Sequence, residues 1–144
     1  MTDGPQAAER WIVLYDGACG FCKWILAGLL WLDRDRRLQP MALQREEADG
    51  LLSGLGPEER MGSFHLVTPR GSRLSGGEGL APLLRLLRGG RLPAAVLARF
   101  PGLTASGYRW IAANRIQLSR FVPRRWKRRA AERVRTREAE SGLG

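Results

Sequence analysis

Apolar and polar positions alternate between two periods along this chain. Trp11-Ile12-Val13-Leu14-Tyr15 is an unbroken run of β-formers closed by Asp16-Gly17, the pattern of a buried central strand ending in a turn. From Phe21 to Asp33 no proline intervenes, and Cys22, Ile25, Leu26, Leu29 and Leu32 recur at helical spacing, which places them on one face. Trp24 and Trp31 add a second apolar stripe, so this helix is expected to be covered on its outer side as well. The expected cover is the later helical segment around Tyr108, Trp110, Ile111, Ala112 and Ile116.

Asp33 to Arg37 reads as a solvated connection, and Leu38 to Leu43 as a second strand in which Pro40 must sit where a missing N–H does no harm. Glu46 to Leu55 predicts a short helix, with acidic residues in its first turn as the helix dipole prefers. Ser63 to Thr68, a turn at Pro69-Arg70-Gly71, and Ser72 to Ser75 predict a β-hairpin. Gly76-Gly77-Glu78-Gly79 opens a helix running to Leu87, and Pro93 to Phe100 and Thr104 to Arg120 predict two more. The order strand, helix, strand, helix, strand, strand, helix makes an α/β fold: one mixed sheet flanked by helices, its last hairpin antiparallel.

At 144 residues and 16.1 kDa the chain suits a single core with an appendage. Its 44% hydrophobic and 26% charged residues exclude a disordered or fibrous chain. The formal charge is +10, of which +8 falls in residues 109–144. Only Lys23 and Lys127 among the basic residues are lysine, an arginine bias that says little about function. Residues 1–10 are expected to form a flexible N-terminus, 11–90 the core, 91–121 a helical extension packed on it, and 122–144 a basic tail, frayed or free, with Trp126 and Val134 as its main anchors. Met1 to Pro5 lack the basic start and apolar stretch of a signal peptide, and the apolar run Trp24–Leu32 is far shorter than the roughly 20 residues a bilayer requires. The expected location is the cytoplasm.

Two cysteines cannot build a multi-bridge framework, but Cys19-Gly20-Phe21-Cys22 lies where the first strand hands over to the first helix, the place where C-x-x-C has a redox meaning. Unpaired N–H groups and the positive end of the dipole there favour a thiolate at Cys19, making it the nucleophile. Cys22, one turn on, is near enough to resolve a mixed disulfide. The alternatives are an inert buried pair or half of a metal site. Structural zinc usually needs four ligands, and the chain offers no second C-x-x-C and one histidine, His65, so a metal site would need a second chain. No metal and no cofactor beyond the Cys19–Cys22 disulfide is expected.

Val13-Leu14-Tyr15-Asp16-Gly17-Ala18-Cys19-Gly20-Phe21-Cys22 resembles the signature of the thiol-disulfide oxidoreductase DCC family, an apolar strand followed by D-G-x-C-x-x-C. The similarity continues through Asp33–Arg37, the Leu38–Leu43 strand with Gln44 after it, the Phe64–Thr68 strand and the helical region ending near Asn114-Arg115, about residues 11–121. The resemblance implies a thioredoxin-like fold and thiol-disulfide oxidoreductase activity on a protein or small-molecule thiol or disulfide.

Asp16, the third signature residue, has two readings: a base that relays the proton of Cys22, or the former of a turn in which Gly17 supplies a positive φ. A carboxylate so close also raises the pKa of Cys19, which Lys23 could offset. Thioredoxin-like enzymes usually place a cis-proline before the third strand, whereas this chain has Arg60-Met61-Gly62-Ser63. The expected substrate contacts are therefore Gly17, Ala18, Gly20, Phe21, Gly62 and Ser63. Gly76-Gly77 is similar to a glycine pair that receives a glutathione carboxylate in glutaredoxin-like proteins, and also has a sufficient reason to exist as a turn. His65 reads as a packed histidine.

Dense charge with Phe121 and Trp126 in residues 120–129 suits phosphates, an acidic surface or weak contact with an anionic membrane. No nucleic-acid-binding signature accompanies it, so no specific nucleic-acid partner is expected. The rival to the enzyme is a non-catalytic module of the same fold, whose basic tail binds an acidic partner or an anionic membrane surface.

Overall fold

The computed structural model describes residues 10–140, so the N-terminal stretch before Arg10 and residues 141–144 of the expected tail lie outside the described residues. β1 (Trp11–Tyr15), α1 (Gly20–Leu32) and β2 (Leu38–Ala42) come first, followed by α2 (Glu46–Leu51) and α3 (Pro57–Gly62). β3 (His65–Val67), β4 (Arg73–Ser75) and a 3-10 turn (Gly76–Gly79) lead into α4 (Leu80–Arg85) and α5 (Arg91–Arg99). The rest is α6 (Pro101–Ala113), α7 (Arg115–Ser119) and α8 (Arg124–Glu140).

The strands form one four-stranded sheet in the order β2-β1-β3-β4, with β1 parallel to β2 and antiparallel to β3. With its flanking helices this is the mixed thioredoxin-like sheet that the resemblance implied. Pro40 lies on the edge strand β2, where the missing donor disrupts no inner ladder. Alternation along β1 feeds two cores. Val13 and Tyr15 join Leu26, Leu30, Leu66 and Leu83 on one face, while Leu14 joins Met41, Leu43, Ala48 and Leu52 on the other.

Several sequence expectations change. The helix expected to run to Leu55 stops at Leu51, and Pro57 starts α3, its fixed φ and missing donor suiting a first helical position. The helix expected over Thr104–Arg120 breaks at Asn114, whose side chain donates to Trp110 O at 2.7 Å. Most consequentially, the supposedly frayed tail is a docked helix: Ala130 and Val134 of α8 are buried against α1, within the core that holds Leu26 and Leu30. The principal cover of α1 is thus α8, while Trp110 and Ile116 stay exposed.

The anchor of α8 is Asp33, which is buried rather than solvated. Its carboxylate accepts the N–H groups of Arg37 and Leu38 and pairs with the Arg137 guanidinium at 2.8 Å. The same guanidinium donates to Leu38 O and Leu30 O, tying α8 to the end of α1 and the start of β2. Tyr15 Oη donates to Glu138, and Arg36 pairs with Glu140 at 2.6 Å.

Candidate functional site

The signature begins where β1 ends. Asp16 Oδ1 accepts the Ala18 N–H at 2.9 Å, turning the chain toward α1, and also accepts Gln44 Nε2 at 2.9 Å. Gln44 Oε1 in turn accepts the Gly17 N–H at 3.0 Å, so one amide just past β2 grips both residues of the turn. Close approach is what favours glycine at position 17. An added Cβ would lie 3.0 Å from Gln44 Oε1 and 3.2 Å from Ala42 Cβ. The positive φ expected there is absent, since among the described residues the glycines with positive φ are Gly54, Gly71, Gly76 and Gly89.

Cys19 is the N-cap of α1, in extended backbone geometry, and its Sγ accepts the Cys22 N–H at 3.2 Å. This is the capping role that Ser or Asp fills elsewhere. Both cysteines are free and partly buried. The Cys19 thiol is brought down to about 6, chiefly by the hydrogen bond from the Cys22 thiol, then by the Cys22 N–H and the charge of Arg115; burial and Asp16 oppose the change. Cys22 is pushed well up, first by its hydrogen bond to Cys19 and then by burial. The neighbouring thiol therefore does more than the amide dipoles alone were expected to do.

Arg115, at the start of α7, is the cation that offsets Asp16, a part for which the sequence offered Lys23 only as one candidate, a solvated lysine on the helix surface being the other reading. Its guanidinium lies 3.5 Å from Asp16 Oδ2, and its charge favours the thiolate at both cysteines. Tyr108 holds the opposite wall. Its hydroxyl accepts the Phe64 N–H at 2.9 Å, its ring packs on Phe64 at 5.6 Å, and burial raises its pKa. A mostly apolar cavity of about 150 Å³ lies between these walls, lined among others by Asp16, Phe21, Cys22, Gly62, Ser63, Tyr108 and Arg115.

The structure thus brings Asp16, Phe21, Cys22, Gly62 and Ser63 to one cavity, while Gly17, Ala18, Cys19 and Gly20 lie outside its lining. Gly20 faces α8, where the aliphatic stem of Lys127 lies against it. Gln44, Tyr108 and Arg115 were in view as parts of the resemblance or of an apolar helix face, but without a role at the site. Only their return from distant elements reveals one. Gly77 has a packing reason: a Cβ there would come within 2.9 Å of Ala105 Cα on α6.

His65 is buried on β3, where its Nε2 donates to Arg60 O at 3.0 Å and its Nδ1 accepts from Ser75 Oγ at 2.7 Å. Burial lowers its pKa, and it does not line the cavity. Among the described residues no three His, Cys, Asp or Glu side chains converge to hold a metal ion, and no helix is long and apolar enough to cross a membrane. No curated protein and no solved structure matches the chain. A family model described as DCC1-like thiol-disulfide oxidoreductase matches residues 13–121.

Proposed function

The chain belongs to the DCC1-like thiol-disulfide oxidoreductase family, and on that premise we propose that it exchanges a Cys19–Cys22 dithiol for the disulfide of a protein or small-molecule substrate. The observation that carries this reading is the division of the two thiols: Cys19 caps α1 and is held down near 6, while Cys22, which donates to it, is held up. One sulfur is charged and ready to attack while the other keeps its proton.

In the reductive direction, the Cys19 thiolate attacks one sulfur of RS–SR′. A Cys19–SR bond forms and R′S⁻ departs, taking a proton from solvent. Cys22 then gives up its proton and attacks the Cys19 sulfur, closing the Cys19–Cys22 bond and releasing RS⁻. Two electrons pass from the protein dithiol to the substrate, and the reverse sequence oxidises a substrate dithiol. The protein pair carries the electrons itself, with no further cofactor.

In this reading Asp16 both forms the turn and accepts the Cys22 proton. Oδ1 is committed to the turn and to Gln44, while Oδ2, beside Arg115, serves as the acceptor for the Cys22 proton on the wall they share. Gly62, Ser63 and Phe21 position the substrate around the cavity, with Tyr108 fixing the Ser63–Phe64 segment that leads into β3.

The test is the pH dependence of alkylation of the reduced protein by iodoacetamide, with the modified residue identified by mass. Cys19 should be labelled first, with a midpoint near pH 6. Cys22→Ser should accumulate a mixed disulfide at Cys19. Reaction of Cys19 no faster than that of a free thiol with a pKa of about 8.5 would remove the basis of the proposal.

A further inference from the structure

The charge and the exposed hydrocarbon of this protein are concentrated in the same half of the chain. Residues 79–131 contain twelve arginines and lysines and not one aspartate or glutamate. Of the twelve large apolar side chains exposed among the described residues, nine fall in this stretch. Trp110 is 61% exposed and Phe121 83% exposed, on or beside α6 and α7. The two patterns also meet in space, where Trp31 of α1 and Trp126 of α8 line one open groove with Arg129 and Arg133. Of the three acidic residues of α8, Glu138 accepts from Tyr15 and Glu140 pairs with Arg36, which leaves Glu132 against eight arginines and lysines on the same helix.

We propose that the α5–α8 half of the molecule, with the outer edge of α1, docks on an anionic lipid bilayer. A single-signed belt of arginines is drawn to the negative potential of such a surface, and amphipathic Trp rings settle at headgroup depth. Phosphates of nucleic acid would satisfy the arginines but leave Leu92, Leu103 and Ile116 in water, whereas a bilayer takes both. The stretch includes Ile111 and Arg115, which line the cavity beside Cys22, so docking brings the cavity wall close to the lipid. The inference does not rest on the redox reading.

Vesicle sedimentation with the full chain tests it, using phosphatidylcholine alone, phosphatidylcholine with phosphatidylserine, and the latter with added salt. The expected result is binding to the phosphatidylserine vesicles, weakened by salt, with a blue shift of tryptophan emission and little binding to phosphatidylcholine. Arg124→Ala and Arg125→Ala should each weaken binding about five-fold, the factor that corresponds to one cation at such a surface. Trp110→Ser and Phe121→Ser should weaken it without altering the far-ultraviolet circular dichroism.

No binding to phosphatidylserine vesicles would overturn the proposal. So would binding unaffected by the Trp110 and Phe121 changes, or a stable dimer in solution that buries these residues. Tight binding to duplex DNA without vesicle binding would assign the face to nucleic acid instead.

Discussion

The Arg115 guanidinium stands 3.5 Å from Asp16 Oδ2, joining the first turn of α7 to the signature turn that precedes Cys19. The two residues act on the same thiol with opposite sign: Arg115 favours its thiolate and Asp16 its protonated form. Arg115→Gln should therefore move the midpoint of Cys19 alkylation upward from about 6, and Asp16→Asn should move it downward. Both variants should be followed across the full pH range. A shift in the same direction for both would contradict the arrangement.

Cys22 is the largest influence on Cys19, so Cys22→Ala should move the Cys19 midpoint further than either charge change, toward the ordinary value of about 8.5. The sign follows from the direction of the shift. A thiol held low in the folded protein is anionic above its folded midpoint near 6 and loses reactivity as the pH falls through it. In the wild type, alkylation at mildly acidic pH should stay fast; in Cys22→Ala it should collapse there and recover in base.

Removing Arg137 leaves the buried Asp33 carboxylate without its cation, though it retains the N–H groups of Arg37 and Leu38. Arg137→Ala should cost about 3 kcal/mol, the lower end for breaking a buried pair, and lower the melting temperature by roughly 10 °C. Thermal unfolding followed by circular dichroism measures this. A change within about 1 °C would show that the capping hydrogen bonds alone hold Asp33.

Tyr108→Phe deletes the acceptor of the Phe64 N–H while keeping the ring. The expected loss is about 1–2 kcal/mol, together with faster hydrogen exchange at the Phe64 amide. Slower substrate exchange with unchanged Cys19 alkylation would place the effect in the cavity wall rather than in the thiol.

Most of the sheet was legible because its signals are local. The β1 run, the period of α1, the position of Pro40 and the hairpin turn each carry their meaning within a few residues. The C-x-x-C pair and Asp16 were legible for the same reason, as adjacent parts of one strand-to-helix turn. What escaped depends on partners far along the chain. Nothing near Gln44 says that its amide holds Gly17, and nothing near Arg115 says that it faces Asp16. The fate of α8 escaped because its composition is overwhelmingly basic, while its docking rests on two small apolar residues, Ala130 and Val134, and on a carboxylate, Asp33, about a hundred positions earlier.

That docking has a bearing on how the protein can be cut. The family-matched segment ends at residue 121, yet α8 supplies Ala130 and Val134 to the interior. A fragment trimmed at that boundary would strip the lid from Leu26 and Leu30, take from Asp33 its guanidinium partner, and expose a greasy furrow prone to clumping. The minimal autonomous unit is longer than the stretch by which its kinship is known.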